Sequence, residues 1–197
     1  LTRAEKFMDV YARHDRRILI LCSKNIQIGW KKTIYTPDKK SNQCTGDSFT
    51  NSDAESGRQV NKLIKQYYEI MAYQSFSNFV KRKQEEYIRS LPQDEKASGK
   101  VRWIKEYFSD RLIIIDEAHN IRDEQGDEGM RDAVKTIEQI LTHSENLRLV
   151  MLTATPMYNK ATEIIWMLNM MLLNDKRTTI KYSDVFDKKG ELTEGGH

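Results

Sequence analysis

Arg111-Leu112-Ile113-Ile114-Ile115-Asp116-Glu117-Ala118-His119-Asn120 is the stretch that decides how the chain is read. Its apolar run is unbroken, largely β-branched, and ends in two acids and a histidine. A short run of this kind suits a strand buried on both faces of a sheet. Adjacent carboxylates are costly to bury unless they are paired, hydrogen-bonded or close to a metal. The stretch therefore predicts a buried parallel strand whose acids stand at its C-terminal edge, where open α/β sheets bind ligands.

The 197 residues around it suffice for one sizeable core. Hydrophobic residues make up 39% and charged residues 31%, which describes a globular but polar chain. The formal net charge of +3 permits contact with nucleic acid without arguing for it. No stretch reads as a secretory leader, and no apolar run approaches the roughly 18 residues of a membrane span. With two cysteines, Cys22 and Cys44, the expectation is a soluble protein of a reducing, intracellular compartment. Cys22, Cys44, His14, His119 and His143 fit no zinc spacing. The acidic run from Asp123 to Glu128 lacks the ligand order of a calcium loop.

Outward from the central stretch, strands and helices alternate. Thr2 and Glu5 fit a capping box and predict a helix over 3–13. Ile18–Cys22 reads as a second buried strand, followed by a polar turn at Ser23-Lys24-Asn25 and a short helix around 26–34 anchored by Trp30. Residues 36–58 read as an irregular excursion and 59–65 as a helical turn. A strand is predicted over 67–71, a helix from Phe76 to about Ser90, and a polar break over 91–100. Trp103, Ile104, Tyr107 and Phe108 mark a helix face. After the central strand, Met130, Val134, Ile137, Ile140 and Leu141 mark an amphipathic helix. A strand over 147–152, ending in Thr153-Ala154-Thr155-Pro156, precedes an apolar helix over 161–173 and a polar tail from about Asp184. The pattern predicts an α/β fold, a parallel sheet with helices on both faces.

An acid at the position of Asp116 can hold Mg²⁺ through water while substrate phosphates supply further ligands. Glu117 is then placed to orient or deprotonate an attacking water. A bare Asp-Glu pair would read as a solvated strand end; four apolar residues before Asp-Glu-Ala-His favour a nucleotide site. Asp116-Glu117-Ala118-His119 resembles motif II, the DEAH form of Walker B, of superfamily 2 helicases and translocases. Thr153-Ala154-Thr155 resembles motif III. Ile18–Cys22 with Ser23-Lys24-Asn25 and Trp30 resembles motif Ia of the Swi2/Snf2-like branch, and Ala72–Phe76 resembles the segment that branch places before motif II. Asp-Glu-Ala-His-Asn-Ile-Arg, Leu-Thr-Ala-Thr-Pro-Met-Tyr-Asn and Leu172-Leu173-Asn174-Asp175 look like the large-DNA-virus group. That group includes the poxvirus early transcription factor ATPase subunit and nucleoside triphosphate phosphohydrolase I.

The resemblance implies a RecA-like (P-loop NTPase) first motor lobe over 1–183, with 184–197 a tail or linker toward a second lobe. It implies ATP and Mg²⁺ as cofactors, with Asp116 on Mg²⁺ and Glu117 the catalytic base. It makes His119, Thr153 and Thr155 the groups coupling the ATP site to the nucleic-acid path. Ser23, Lys24 and Tyr73 become candidates for a phosphate backbone, duplex DNA by preference, with ordinary strand-end polarity as the alternative. Implied partners are a second RecA-like lobe and transcription subunits, with no membrane, in a cytoplasmic or virion setting. One part of the family pattern is missing. No Gly-x-x-x-x-Gly-Lys-Ser/Thr loop occurs, and the single Gly-Lys pair, Gly99-Lys100, is followed by Val101. The expectation is a lobe that lacks its phosphate-binding loop and is inactive alone; the alternative is a catalytically silent RecA-like binding module.

Overall fold

The computed structural model describes residues 16–37, 56–121, 128–156, 164–187 and 190–193. The described elements are, in order, β1 Ile18–Leu21, α1 Gln27–Ile34, α2 Gly57–Tyr67, β2 Tyr68–Met71, α3 Tyr73–Ile88, α4 Lys96–Phe108, β3 Leu112–Asp116, α5 Glu128–His143, β4 Arg148–Leu152, α6 Ile164–Asn174 and the short α7 Tyr182–Val185. The four strands form one sheet in the order β2-β1-β3-β4. Every pairing is parallel, with Leu21 opposite both Met71 and Ile115, and Asp116 opposite Leu152.

Alternation along the strands builds two cores, because successive side chains leave a strand on opposite faces. Leu19, Leu21, Ile113 and Ile115 pack with Phe76, Val80, Phe108, Val134, Ile137 and Ile140, so α3, α4 and α5 cover that face. Ile18, Ile20, Cys22 and Leu112 pack with Ile34, Tyr35, Ile64 and Tyr68, beneath α1 and α2. Helices on both faces of a parallel sheet are what the strand–helix alternation predicts. β4 is covered on one side only: Leu149 and Met151 meet the core, whereas Val150 and Leu152 are exposed.

Several boundaries differ from the sequence reading, each for a local reason. The turn expected over 59–65 is the three-turn helix α2. Ser56 caps it: its hydroxyl accepts from the Gln59 N–H at 3.3 Å, and the Gln59 side chain accepts from the Ser56 N–H at 3.0 Å. Tyr67 closes that helix rather than opening β2. α3 begins at Tyr73, directly after the extended Ala72. The polar break over 91–100 is shorter than expected, because α4 begins at Lys96 and runs through Gly99. A Cβ on Gly99 would stand 2.5 Å from Leu91 Cδ1 and 3.1 Å from Ile88 Cγ2, so the glycine permits close packing against the end of α3. The polar tail also holds some order: Phe186 is buried and bridges Leu192 in antiparallel fashion. The helix expected over 3–13, Cys44 and the acidic run from Asp123 to Asp127 lie outside the described residues.

Candidate active site at the C-terminal edge of the sheet

The parallel register carries the ends of β1, β3 and β4 to one edge. Asp116 ends β3 opposite Leu152, so Thr153 follows beside it. Cys22 and Ser23 follow Leu21, the partner of Ile115, on the other flank. The chain leaves β1 over one face of the sheet and β3 over the other, so the β1–β3 boundary is a switch point of the kind where α/β sheets bind ligands. A cleft of about 240 Å³ opens there, bounded by Ile26, Gly29, Trp30, Thr33 and Asp116.

Asp116 is held from three sides. Its Oδ1 accepts from the Glu117 N–H at 2.9 Å and its Oδ2 from the Trp30 indole N–H at 2.7 Å. The Tyr73 hydroxyl donates to its main-chain carbonyl. A carboxylate has about four lone-pair sites, and two are used here, so each oxygen keeps one direction for a water. A single acid with free lone pairs at a cleft suits Mg²⁺, which dehydrates reluctantly and keeps its waters. Among the described residues no cluster of three or more His, Cys, Asp or Glu forms an all-protein metal cage.

Glu117 has φ 54° and ψ 48°, in the left-handed region. For a residue with a Cβ this costs roughly 1–2 kcal/mol. The hydrogen bond from its N–H to Asp116 offsets part of that cost. The sharp turn buries Ala118 completely and leaves Glu117 and His119 partly open, together on the outer side. His119 Nδ1 then lies 2.9 Å from Thr153 Oγ1 and 3.3 Å from Glu117 Oε2. The Thr155 N–H donates to Thr153 Oγ1 at 3.2 Å. One imidazole nitrogen thus stands between the acid after β3 and the hydroxyl after β4.

Buried neighbours complete the electrostatics. Burial, and secondarily the charge of Asp116, push the Cys22 thiol up to about 11. Burial also holds the Tyr73 phenol well above its ordinary value, with Cys22, Asp116 and Glu117 acting in the same direction. Both groups stay neutral and protonated beside the carboxylates.

The structure brings Asp116, Glu117, His119, Thr153 and Thr155 together and sets Ser23 and Lys24 at the same edge. Lys24 is exposed and Ser23 partly so. Tyr73 departs from the expectation. Only 4% of it is exposed and its hydroxyl is engaged by Asp116, so it supports the strand end from inside instead of offering a surface to a phosphate backbone. Trp30 is the residue the sequence reading undervalued. It reads as an apolar anchor, but its indole N–H contacts the acid; tryptophan's polar handle was the available signal, and its partner was not.

A family model described as type III restriction enzyme, res subunit (ResIII) matches residues 4–158. The chain belongs to the ResIII family. With its viral helicase relatives, this makes it a RecA-like domain of superfamily 2 helicase type. An Acanthamoeba polyphaga mimivirus protein named as a candidate ATP-dependent RNA helicase is 30% identical over 85% of this chain. A candidate helicase of Frog virus 3 (isolate Goorha) is 28% identical over 71% of it. A second mimivirus candidate RNA helicase is 29% identical over 56%. This ResIII domain spans 16%, 13% and 15% of those three relatives' own lengths. No solved structure matches it.

Proposed function

We propose that this ResIII domain is the first motor lobe of a Mg²⁺-dependent ATP hydrolase that moves along nucleic acid. The observation that carries the reading is His119 Nδ1 standing between Glu117 Oε2 and Thr153 Oγ1. Such a bridge links the hydrolytic acid to the strand-end loop beside it, so a shift of either loop is felt at the other. In this proposal Asp116 holds Mg²⁺ through water, and the ion neutralises phosphate charge when bound. Glu117 orients and deprotonates the attacking water. His119, Thr153 and Thr155 carry the coupling, and Ser23 and Lys24 meet a phosphate backbone.

The motif likeness to the Swi2/Snf2-like branch supports duplex DNA as the track; the names of the mimivirus relatives make RNA the comparison to run. Viral transcription is the proposed setting. Because the 197 residues contain no phosphate-binding loop, the proposal includes that the loop and an arginine-bearing second lobe come from a longer protein. Negligible ATPase activity is then expected of this chain alone. The missing loop also sustains a second reading, a silent RecA-like module that binds nucleic acid without turnover. In the longer protein, His119→Ala is expected to cut nucleic-acid stimulation of ATPase about 10-fold, the worth of one or two hydrogen bonds, with basal turnover retained. An unchanged stimulation ratio would overturn the coupling role.

A further inference from the structure

On the face covered by α3 and α4, cations stand among acids: Lys81 pairs with Asp132, Lys83 with Glu86 at 2.7 Å, Lys100 with Glu85 at 2.5 Å and Lys105 with Glu145 at 2.7 Å, while Lys96 and Arg102 make no ion pair with a described residue. On the opposite face, α1 and α2 carry Lys31, Lys32, Arg58, Lys62 and Lys65 and no acid at all. None of these five makes an ion pair with a described residue.

The arrangement follows from the amphipathicity of α2. Val60, Leu63, Ile64 and Tyr67 turn inward to the core beneath it. Arg58, Asn61, Lys62, Lys65 and Gln66 recur at helical spacing on the outer side and are all exposed. With Lys31 of α1 they bound a cleft of about 740 Å³ between the two helices. An ordinary solvated helix face mixes both signs, as α3 does; this one presents cations and side-chain amides only.

The geometry points to this α1–α2 cleft as a binding site for the phosphodiester backbone of nucleic acid, additional to the strand-end contacts at Ser23 and Lys24. It rests on the nucleic-acid reading above and adds a track on the outer face of the lobe. Arg58 and Lys65 lie about 10 Å apart along the helix axis at 1.5 Å per residue. That spans about three nucleotide steps at 3.4 Å per step of one strand. Asn61 and Gln66 supply neutral donors for phosphate oxygens, and contacts to the phosphate backbone carry no sequence information, so the contact is sequence-independent.

The test is binding of a fluorescent 20-base-pair duplex by the 197-residue chain, followed by anisotropy across a salt series. The triple variant Arg58→Gln, Lys62→Gln, Lys65→Gln removes exposed charges only, so an unchanged thermal midpoint confirms that it folds. Losing three phosphate contacts should lower the slope of log affinity against log salt by about 2.7. Between 50 and 200 mM salt the native chain should then lose about 40-fold more affinity than the variant. Lys31→Gln should lower the slope by about one unit more, and Lys81→Gln, whose ammonium Asp132 already holds, should not change it. A slope unchanged in the triple variant but lowered by Lys24→Gln overturns the cleft and leaves the functional reading standing. Poly-glutamate competing as well as duplex of equal charge overturns the assignment to nucleic acid in favour of an acidic protein. Absence of duplex and RNA binding by the native chain overturns both readings.

Discussion

Removing Glu69 should destabilise the domain far more than removing either surface partner of an ordinary ion pair. Glu69, in β2, accepts from Arg17 before β1 at 2.7 Å and from Arg111 before β3 at 2.6 Å. It pins three neighbouring strands at the edge opposite the active site. The Arg111 side chain is only 3% exposed; its Nε donates to the Arg17 carbonyl and its guanidinium lies 4.9 Å from the Tyr107 ring centre. Glu69→Ala would leave that buried guanidinium without a counter-charge, a loss of about 3–5 kcal/mol. The Arg17 side chain is 36% exposed. Arg17→Ala should therefore cost about 1 kcal/mol or less. In urea, with an m-value of about 2 kcal/mol per molar, the midpoint falls by about 1.5–2.5 M for Glu69→Ala and by about 0.5 M for Arg17→Ala. Replacing the buried pair with apolar residues, Glu69→Leu with Arg111→Met, should recover most of the loss, because two desolvated charges disappear together. Equal small shifts for Glu69→Ala and Arg17→Ala, or a double variant worse than Glu69→Ala alone, would show that Glu69 is not the counter-charge on which Arg111 depends.

Two further outcomes follow from the site. Trp30→Phe removes a part-buried hydrogen bond to a charged carboxylate, worth about 1.5 kcal/mol. The Mg²⁺ concentration for half-maximal ATPase activity of the longer protein should rise about 10-fold, and an unchanged Mg²⁺ requirement would deny Trp30 a positioning role. Cys22 gives a pH signature. Its thiol is raised from 9.0 to about 11 in the folded chain, so the unfolded chain deprotonates first as pH rises. Stability should be intact below pH 9 and decline between 9 and 11 by about 2 kcal/mol from this group, a decline that Cys22→Ala should flatten in denaturation curves run across that range.

The sheet and the position of the strand-end acids are legible because short-range patterns carry them. Ile18–Cys22 and Leu112–Ile115 are unbroken apolar runs, and both are buried strands. Asp-Glu-Ala-His after such a run predicts acids at the C-terminal edge of β3, where Asp116 and Glu117 stand, and Cys22 is buried in the core. What was not legible depends on contacts distant in sequence. Nothing near Trp30 says that its N–H reaches Asp116, and nothing near Tyr73 says that its hydroxyl turns inward. Glu69 reads as a stray acid in a strand until Arg17 and Arg111 are brought beside it. Gly99 and Pro92 suggested a break where close helix packing had selected the glycine. Ser56 and Gln59 did carry the capping signal for α2, and the surrounding polar residues obscured it.

Glu117 pairs a strained backbone with a partly open carboxylate beside His119. Measured on the longer protein, Glu117→Gln should lower nucleic-acid-stimulated kcat by about 100-fold or more, the usual worth of a general base, while the affinity for ATP with Mg²⁺ stays within about threefold of native. Retention of native turnover by Glu117→Gln would show that Glu117 is not the general base.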